Sequence, residues 1–119
     1  MKNTFLYLST CTTCVRIIKY LGIEDAGFLQ NVKEQMVTAE QLAFLYNYTN
    51  SYEQLINKRG RVYAQMMKRE GAVFSEAVYK TLLENEYSCL KRPILIWDNT
   101  VFLGNAKATV AQMKAALDG

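Results

Sequence analysis

Apolar residues fall into short runs at the two ends of the chain and recur at helical spacing between them. Phe5-Leu6-Tyr7-Leu8 is a compact apolar run of strand character, and Ser9-Thr10 read as the turn that follows it. From Thr12 the period lengthens. Val15, Ile18 and Leu21 recur at helical intervals with Ile17 alongside, and Gly22 stands where a left-handed C-terminal residue would end the helix. Cys11 therefore sits at a strand-to-helix junction. Residues 28–32 predict a second, weaker strand. Thr38-Ala39-Glu40-Gln41 has the form of a capping box, and Leu42, Leu45 and Tyr46 supply the apolar face of the helix it opens. Ser75 can cap another helix, with Glu76 at its positive end and Val78, Leu82 and Leu83 turned inward. No strand signal interrupts residues 38–88. After Pro93, the only proline, Ile94-Leu95-Ile96-Trp97 and residues 100–103 flank Asp98-Asn99, a two-residue hairpin signal. Asn105 is positioned to cap a last helix whose Val110, Met113 and Leu117 share one face.

The predicted order is strand, helix, strand, helical block, hairpin, helix. A strand, a helix and a second strand suggest a parallel βαβ unit, and the hairpin completes a mixed sheet. The fold class is thus α/β, and the order resembles a thioredoxin-like fold. It has a mixed four-stranded sheet and an all-helical insertion, about 38–88, between strands 2 and 3. The 119 residues suit a single domain, 1–119, able to bury a core without disulfide staples. No repeat, linker or low-complexity segment interrupts it. No apolar stretch is long enough to span a bilayer, and the apolar run near the start is too short for a signal peptide, so a cytoplasmic location is expected.

Charge narrows the picture little. A net charge of +3 is too small to argue for direct nucleic-acid binding. The cysteines narrow it further. There are three, two of them spaced Cys11-Thr12-Thr13-Cys14, and there is no histidine. Without histidine, a Ser-His-Asp triad, a Cys-His protease and a histidine-containing zinc site are excluded. A zinc site would still need four ligands from three cysteines, and none is expected. A cysteine at a helix start is stabilised as thiolate by the free amides and the dipole there, and a second cysteine in the first turn can close a disulfide on it. This points to Cys11 as nucleophile and Cys14 as resolving partner; two small buried apolar side chains are the alternative. Pro93 precedes a strand, where proline is common punctuation. The thioredoxin-like order favours a cis bond there instead. Basic residues cluster at Lys58-Arg59-Gly60-Arg61, at Lys68-Arg69 and at Lys91-Arg92. Such runs usually form solvated faces, but arginines beside a thiolate would lower its pKa and bind an oxyanion. Cys89 stands alone and reads as a packed or incidental thiol.

Three segments in this order resemble the arsenate reductase (ArsC)/Spx family: Cys11-Thr12-Thr13-Cys14-Val15-Arg16, Asn57-Lys58-Arg59-Gly60-Arg61-Val62-Tyr63 and Leu90-Lys91-Arg92-Pro93-Ile94-Leu95. The resemblance spans essentially the whole chain. It implies a thioredoxin-like fold with a helical insertion. It also implies the chemistry of the family's reductases, in which a cysteine thiolate attacks arsenate held by arginines and a thiol partner completes the reduction. By motif, Cys11 would be the nucleophile, Arg92 and then Arg59 the anion-binding arginines, and Pro93 the cis-proline. Two positions depart from the pattern. Ser9 stands where a proline is usual shortly before the nucleophile, and Gly104-Asn105 with Lys107 occupy the region of a further arginine.

The expected function is that of an ArsC-like thiol-dependent oxidoreductase acting on a small oxyanion or thiol substrate. It would have no bound cofactor, and glutathione, glutaredoxin or thioredoxin would serve as electron donor. The alternatives are a Spx-like redox-sensing regulator that binds RNA polymerase, with Cys11–Cys14 as its switch, and a family member that only binds a protein.

Overall fold

The computed structural model describes residues 1–119 throughout. The chain divides into two compact units, one formed by Met1–Gln35 with Arg92–Gly119 and the other by Met36–Lys91.

The first unit carries the sheet. Strand β1 (Thr4–Tyr7) leads through a tight turn to helix α1 (Thr12–Leu21) and then to strand β2 (Leu29–Asn31). After the second unit, strand β3 (Ile94–Trp97), strand β4 (Thr100–Leu103) and helix α5 (Lys107–Asp118) complete it. The strand order is β2-β1-β3-β4. β1 pairs parallel with β2, in the register Tyr7↔Asn31, and antiparallel with β3, in the register Leu6↔Ile94. β3 and β4 form the hairpin. This is the mixed four-stranded sheet of a thioredoxin-like fold, with the all-helical insertion between strands 2 and 3.

Phe5 and Leu95 are paired across β1 and β3 and lie on one face of the sheet. There they pack with Ile17, Ile18 and Leu21 of α1, with Ile23, and with Met113 of α5. Leu6, Ile94 and Ile96 point to the opposite face and are also fully buried. The buried stripe of α1 is Cys14, Ile17, Ile18 and Leu21. Val15, expected on that stripe, is 37% exposed, and Cys14 takes the inward position. The cysteine serves as a small apolar group in the helical stripe, which places its sulfur inside the fold. Gly22 ends α1 in the left-handed region, its N–H returning to Ile18 and Lys19. Asp98 and Asn99 both have positive φ, as a twist-matched two-residue hairpin turn requires. Asn105 does not cap α5. The N-cap is Ala106, whose side chain makes no capping bond. Gly104, at φ +93° with its N–H bound to the Pro93 carbonyl, carries the chain out of the hairpin. The helix starts one residue beyond the best capping side chain, because a cap is worth only about 1 kcal/mol.

The second unit is helical. It holds α2 (Ala39–Thr49), α3 (Arg61–Met67) and α4 (Glu76–Asn85), with 3₁₀ turns at Glu53–Leu55 and Tyr87–Cys89. The compact unit runs Met36–Lys91, beside the expected insertion of about 38–88. The capping box of α2 is complete, Thr38 and Gln41 each satisfying the other's backbone N–H. Ser75 caps α4. Two Glu76 carboxylate oxygens accept the N–H groups of Tyr52 and Glu53, tying α4 to the first 3₁₀ turn. Cys89 is buried in this unit, and its carbonyl accepts the Asn57 N–H. No helix of the chain is long and apolar enough to cross a membrane.

Candidate functional site: a thiol pair at the start of α1

The site grows from the pairing of β1 with β3. Leu6 faces Ile94 across the antiparallel ladder. Leu8, two residues after Leu6, and Arg92, two residues before Ile94, therefore lie at the same end of the sheet. There the chain leaves β1 and turns into α1. The Cys11 N–H donates to the Leu8 carbonyl at 3.0 Å, closing the turn over Ser9 and Thr10. Cys11 is the N-cap of α1, and its own carbonyl accepts the Val15 N–H. The Arg92–Pro93 peptide bond is cis.

Cys11 is partly exposed, Cys14 is fully buried, and both are free thiols. Their surroundings drive their acidities apart. Burial is the largest single influence on Cys11 and opposes ionisation. It is outweighed by the Cys14 backbone N–H, the Cys14 thiol and the Arg92 guanidinium, which hydrogen-bonds the sulfur and attracts it by charge. The Cys11 thiol is therefore held below its ordinary pKa. Cys14 behaves in the opposite way. Burial pushes it up to about 11, with the neighbouring Cys11 adding to the rise, against weaker help from the Leu8 backbone and Arg92. At neutral pH the pair is one thiolate-prone sulfur and one retained thiol, within hydrogen-bonding reach of each other.

A groove of about 330 Å³ borders the turn, lined by Ser9, Thr10, Thr12, Val15, Arg16 and Lys19. Thr12, Val15, Arg16 and Lys19 form the outward stripe of α1, opposite the buried one. The groove offers three hydroxyls, two cations and no carboxylate. Asn105 and Lys107, in the region where the resembled pattern has a further arginine, line a separate groove with Arg16 and Tyr20.

The expected residues thus separate by unit. Cys11, Cys14, Arg92 and Pro93 come together in the first. Arg59 belongs to the second, exposed on the turn before α3, where its N–H donates to Asn57 Oδ1 at 3.2 Å. Nearby Lys58 is engaged by Glu53. The groove cations Arg16 and Lys19 were not singled out as functional residues from the sequence. Their spacing with Thr12 and Val15 on the outward stripe of α1 is the signal that would have found them.

A mixed sheet in the order β2-β1-β3-β4, a cis-proline opening β3 and a Cys-x-x-Cys opening α1 define a thioredoxin-fold thiol protein. The chain belongs to the ArsC family, whose family model matches residues 6–113. No curated protein matches it in sequence. Among solved structures it is similar to an ArsC-family-related protein from Bacteroides fragilis, with a TM-score of 0.73 and 22% identity over 95% of this chain and 99% of that one. It is also similar to an arsenate reductase (ArsC) related protein from Brucella melitensis, with a TM-score of 0.59 and 24% identity over 97% and 93% of the two chains.

Proposed function

We propose that the protein is a thiol-dependent oxidoreductase of the ArsC type, with Cys11 as nucleophile, Cys14 as resolving cysteine and Arg92 as the anion-binding residue. The observation that carries this reading is the Arg92 guanidinium on the sulfur of an N-cap cysteine. That one group favours the thiolate and also offers donors to an oxygen anion bound beside it.

The Cys11 thiolate attacks the electrophilic centre of an oxyanion or oxidised thiol substrate, forming a covalent adduct and displacing a hydroxide or thiolate. Cys14 then attacks the Cys11 sulfur. The S–S bond forms, the bond from Cys11 to the substrate breaks, and its electron pair leaves with the reduced product, which takes up the Cys14 proton. The disulfide is a two-electron oxidation of the pair. A cellular dithiol, or glutathione through glutaredoxin, returns those electrons. The cationic groove beside the turn suits an anionic part of the substrate or reductant, and Arg59 is a second candidate for anion binding.

Turnover with arsenate and with a small disulfide, each driven by glutathione and glutaredoxin or by thioredoxin, tests this. Cys11→Ser should abolish turnover of whichever substrate the wild type reduces. Cys14→Ser should accumulate a Cys11 adduct visible by mass spectrometry. Full activity in Cys11→Ser would overturn the assignment. A close thiol pair also suits the regulator reading: redox-dependent capture of RNA polymerase, with no turnover of either substrate, would favour a switch over an enzyme.

A further inference from the structure

The turn that presents Cys11 is held from outside by one side chain. Asn31 is the last residue of β2, level with Tyr7 of β1. Its Oδ1 accepts the Ser9 N–H at 3.3 Å, and its Nδ2 donates to Ser9 Oγ at 2.9 Å. Ser9 is thus clasped through both its backbone and its side chain. The same Oδ1 accepts the Lys33 N–H at 3.3 Å. The Asn31 carbonyl accepts the N–H groups of Glu34 and Gln35 at 3.0 and 2.9 Å. The clasp is therefore anchored in a turn of its own rather than hung on a free strand end. The β1–β2 ladder runs right up to it, since Val32 N–H donates to the Tyr7 carbonyl at 2.9 Å.

What Ser9 controls lies on both sides of it. Leu8, just before, accepts the Cys11 N–H through its carbonyl, and its backbone also acts on the Cys14 thiol. Thr10 and Cys11 follow. Ser9 and Thr10 are exposed, so without a tie to a neighbouring strand their side of the turn is free to shift even though the Cys11 N–H closes it on Leu8. Two hydrogen bonds to one residue remove that freedom.

We infer that Asn31 is a positioning residue for Cys11, fixing through Ser9 the turn that aims the Cys11 sulfur at Arg92 and the amides of α1. The inference rests on the reading of Cys11 as the reactive thiolate, and its readout is separable from turnover. The charged and titratable groups that act on Cys11 are Cys14 from α1 and Arg92 from the segment before β3. Asn31 is neither, so any effect it has on Cys11 must pass through geometry.

Iodoacetamide labelling of the full reduced chain, mapped to the Cys11 peptide over a range of pH, reads the effect directly. Asn31→Ala, which removes both bonds to Ser9, should slow labelling at pH 7 by about fivefold, the size of one ordinary hydrogen bond's net contribution passed on to Cys11, and move the midpoint to higher pH. Ser9→Ala keeps the backbone half of the clasp and should show a smaller change in the same direction. If the two residues act as a unit, the double variant labels no more slowly than Asn31→Ala alone. Wild-type rate and midpoint in Asn31→Ala would overturn the inference. A lowered melting temperature with an unchanged labelling profile would overturn it too, reducing Asn31 to a structural tie. So would independent effects of the two substitutions. An ordinary thiol midpoint in the wild type would remove the reading of Cys11 and, with it, this one.

Discussion

Cys11 and Cys14 share a helical turn but titrate in opposite directions, because one caps the helix and the other is packed beneath it. Alkylation requires the thiolate, so at pH 7 a small electrophile should modify Cys11 and leave Cys14 intact. Labelling of Cys14 should appear only as the pH approaches its value of about 11. Peptide mapping by mass spectrometry checks both. Arg92→Ala should move the Cys11 midpoint to higher pH and slow its labelling at pH 7, because the charge-assisted hydrogen bond that favours the thiolate is lost. The linkage to stability has opposite signs at the two sulfurs. Cys11 is depressed, so its contribution is present at alkaline pH and lost as the pH falls through its folded value. Cys14 is raised, so its contribution is present below the ordinary 9.0 and lost as the pH climbs toward about 11. The spacing and the helix start were legible in the sequence, but this division of labour was not. It depends on which cysteine the helical stripe turns inward, and the sequence pattern pointed to Val15 for that place.

Elements whose cause is local were readable from residue identity. The capping box at Thr38 is satisfied in both directions, and Gln41 is nearly buried while making it. Thr38→Ala should cost about 1 kcal/mol in a denaturant titration, and Thr38→Ser should recover most of it. The Asp98-Asn99 turn was legible for the same reason, since those residue types tolerate the positive φ that the hairpin demands. The start of α5 was not, because the exit from the hairpin at Gly104 sets where the helix begins, and this outweighs the capping preference of Asn105. The helical block also hid its own divisions. Only Tyr63 of α3 is buried, so that short helix carries almost no periodic signal.

At the scale of the molecule, the β1–β3 pairing supports both the core and the site. Phe5 and Leu95 pair at the centre of the apolar cluster and are fully buried, next to the ladder positions that bring Leu8 and Arg92 to one end of the sheet. Phe5→Ala should destabilise the fold by about 3–5 kcal/mol in urea unfolding. Phe5→Leu, which keeps the apolar contact, should cost less and leave Cys11 labelling unchanged. The sequence by itself determined the α/β order, the strand-to-helix junction at Cys11, the α2 cap and the hairpin, because each follows from residue types within one turn or one strand. It also carried the family motifs. The meeting of Arg92 with Cys11, the burial of Cys14 and the clasp of Asn31 on Ser9 were decided only in three dimensions. The first and last depend on strand register, which sets two distant residues side by side without any mark in the spacing between them, and the second on which face of α1 packs against the sheet.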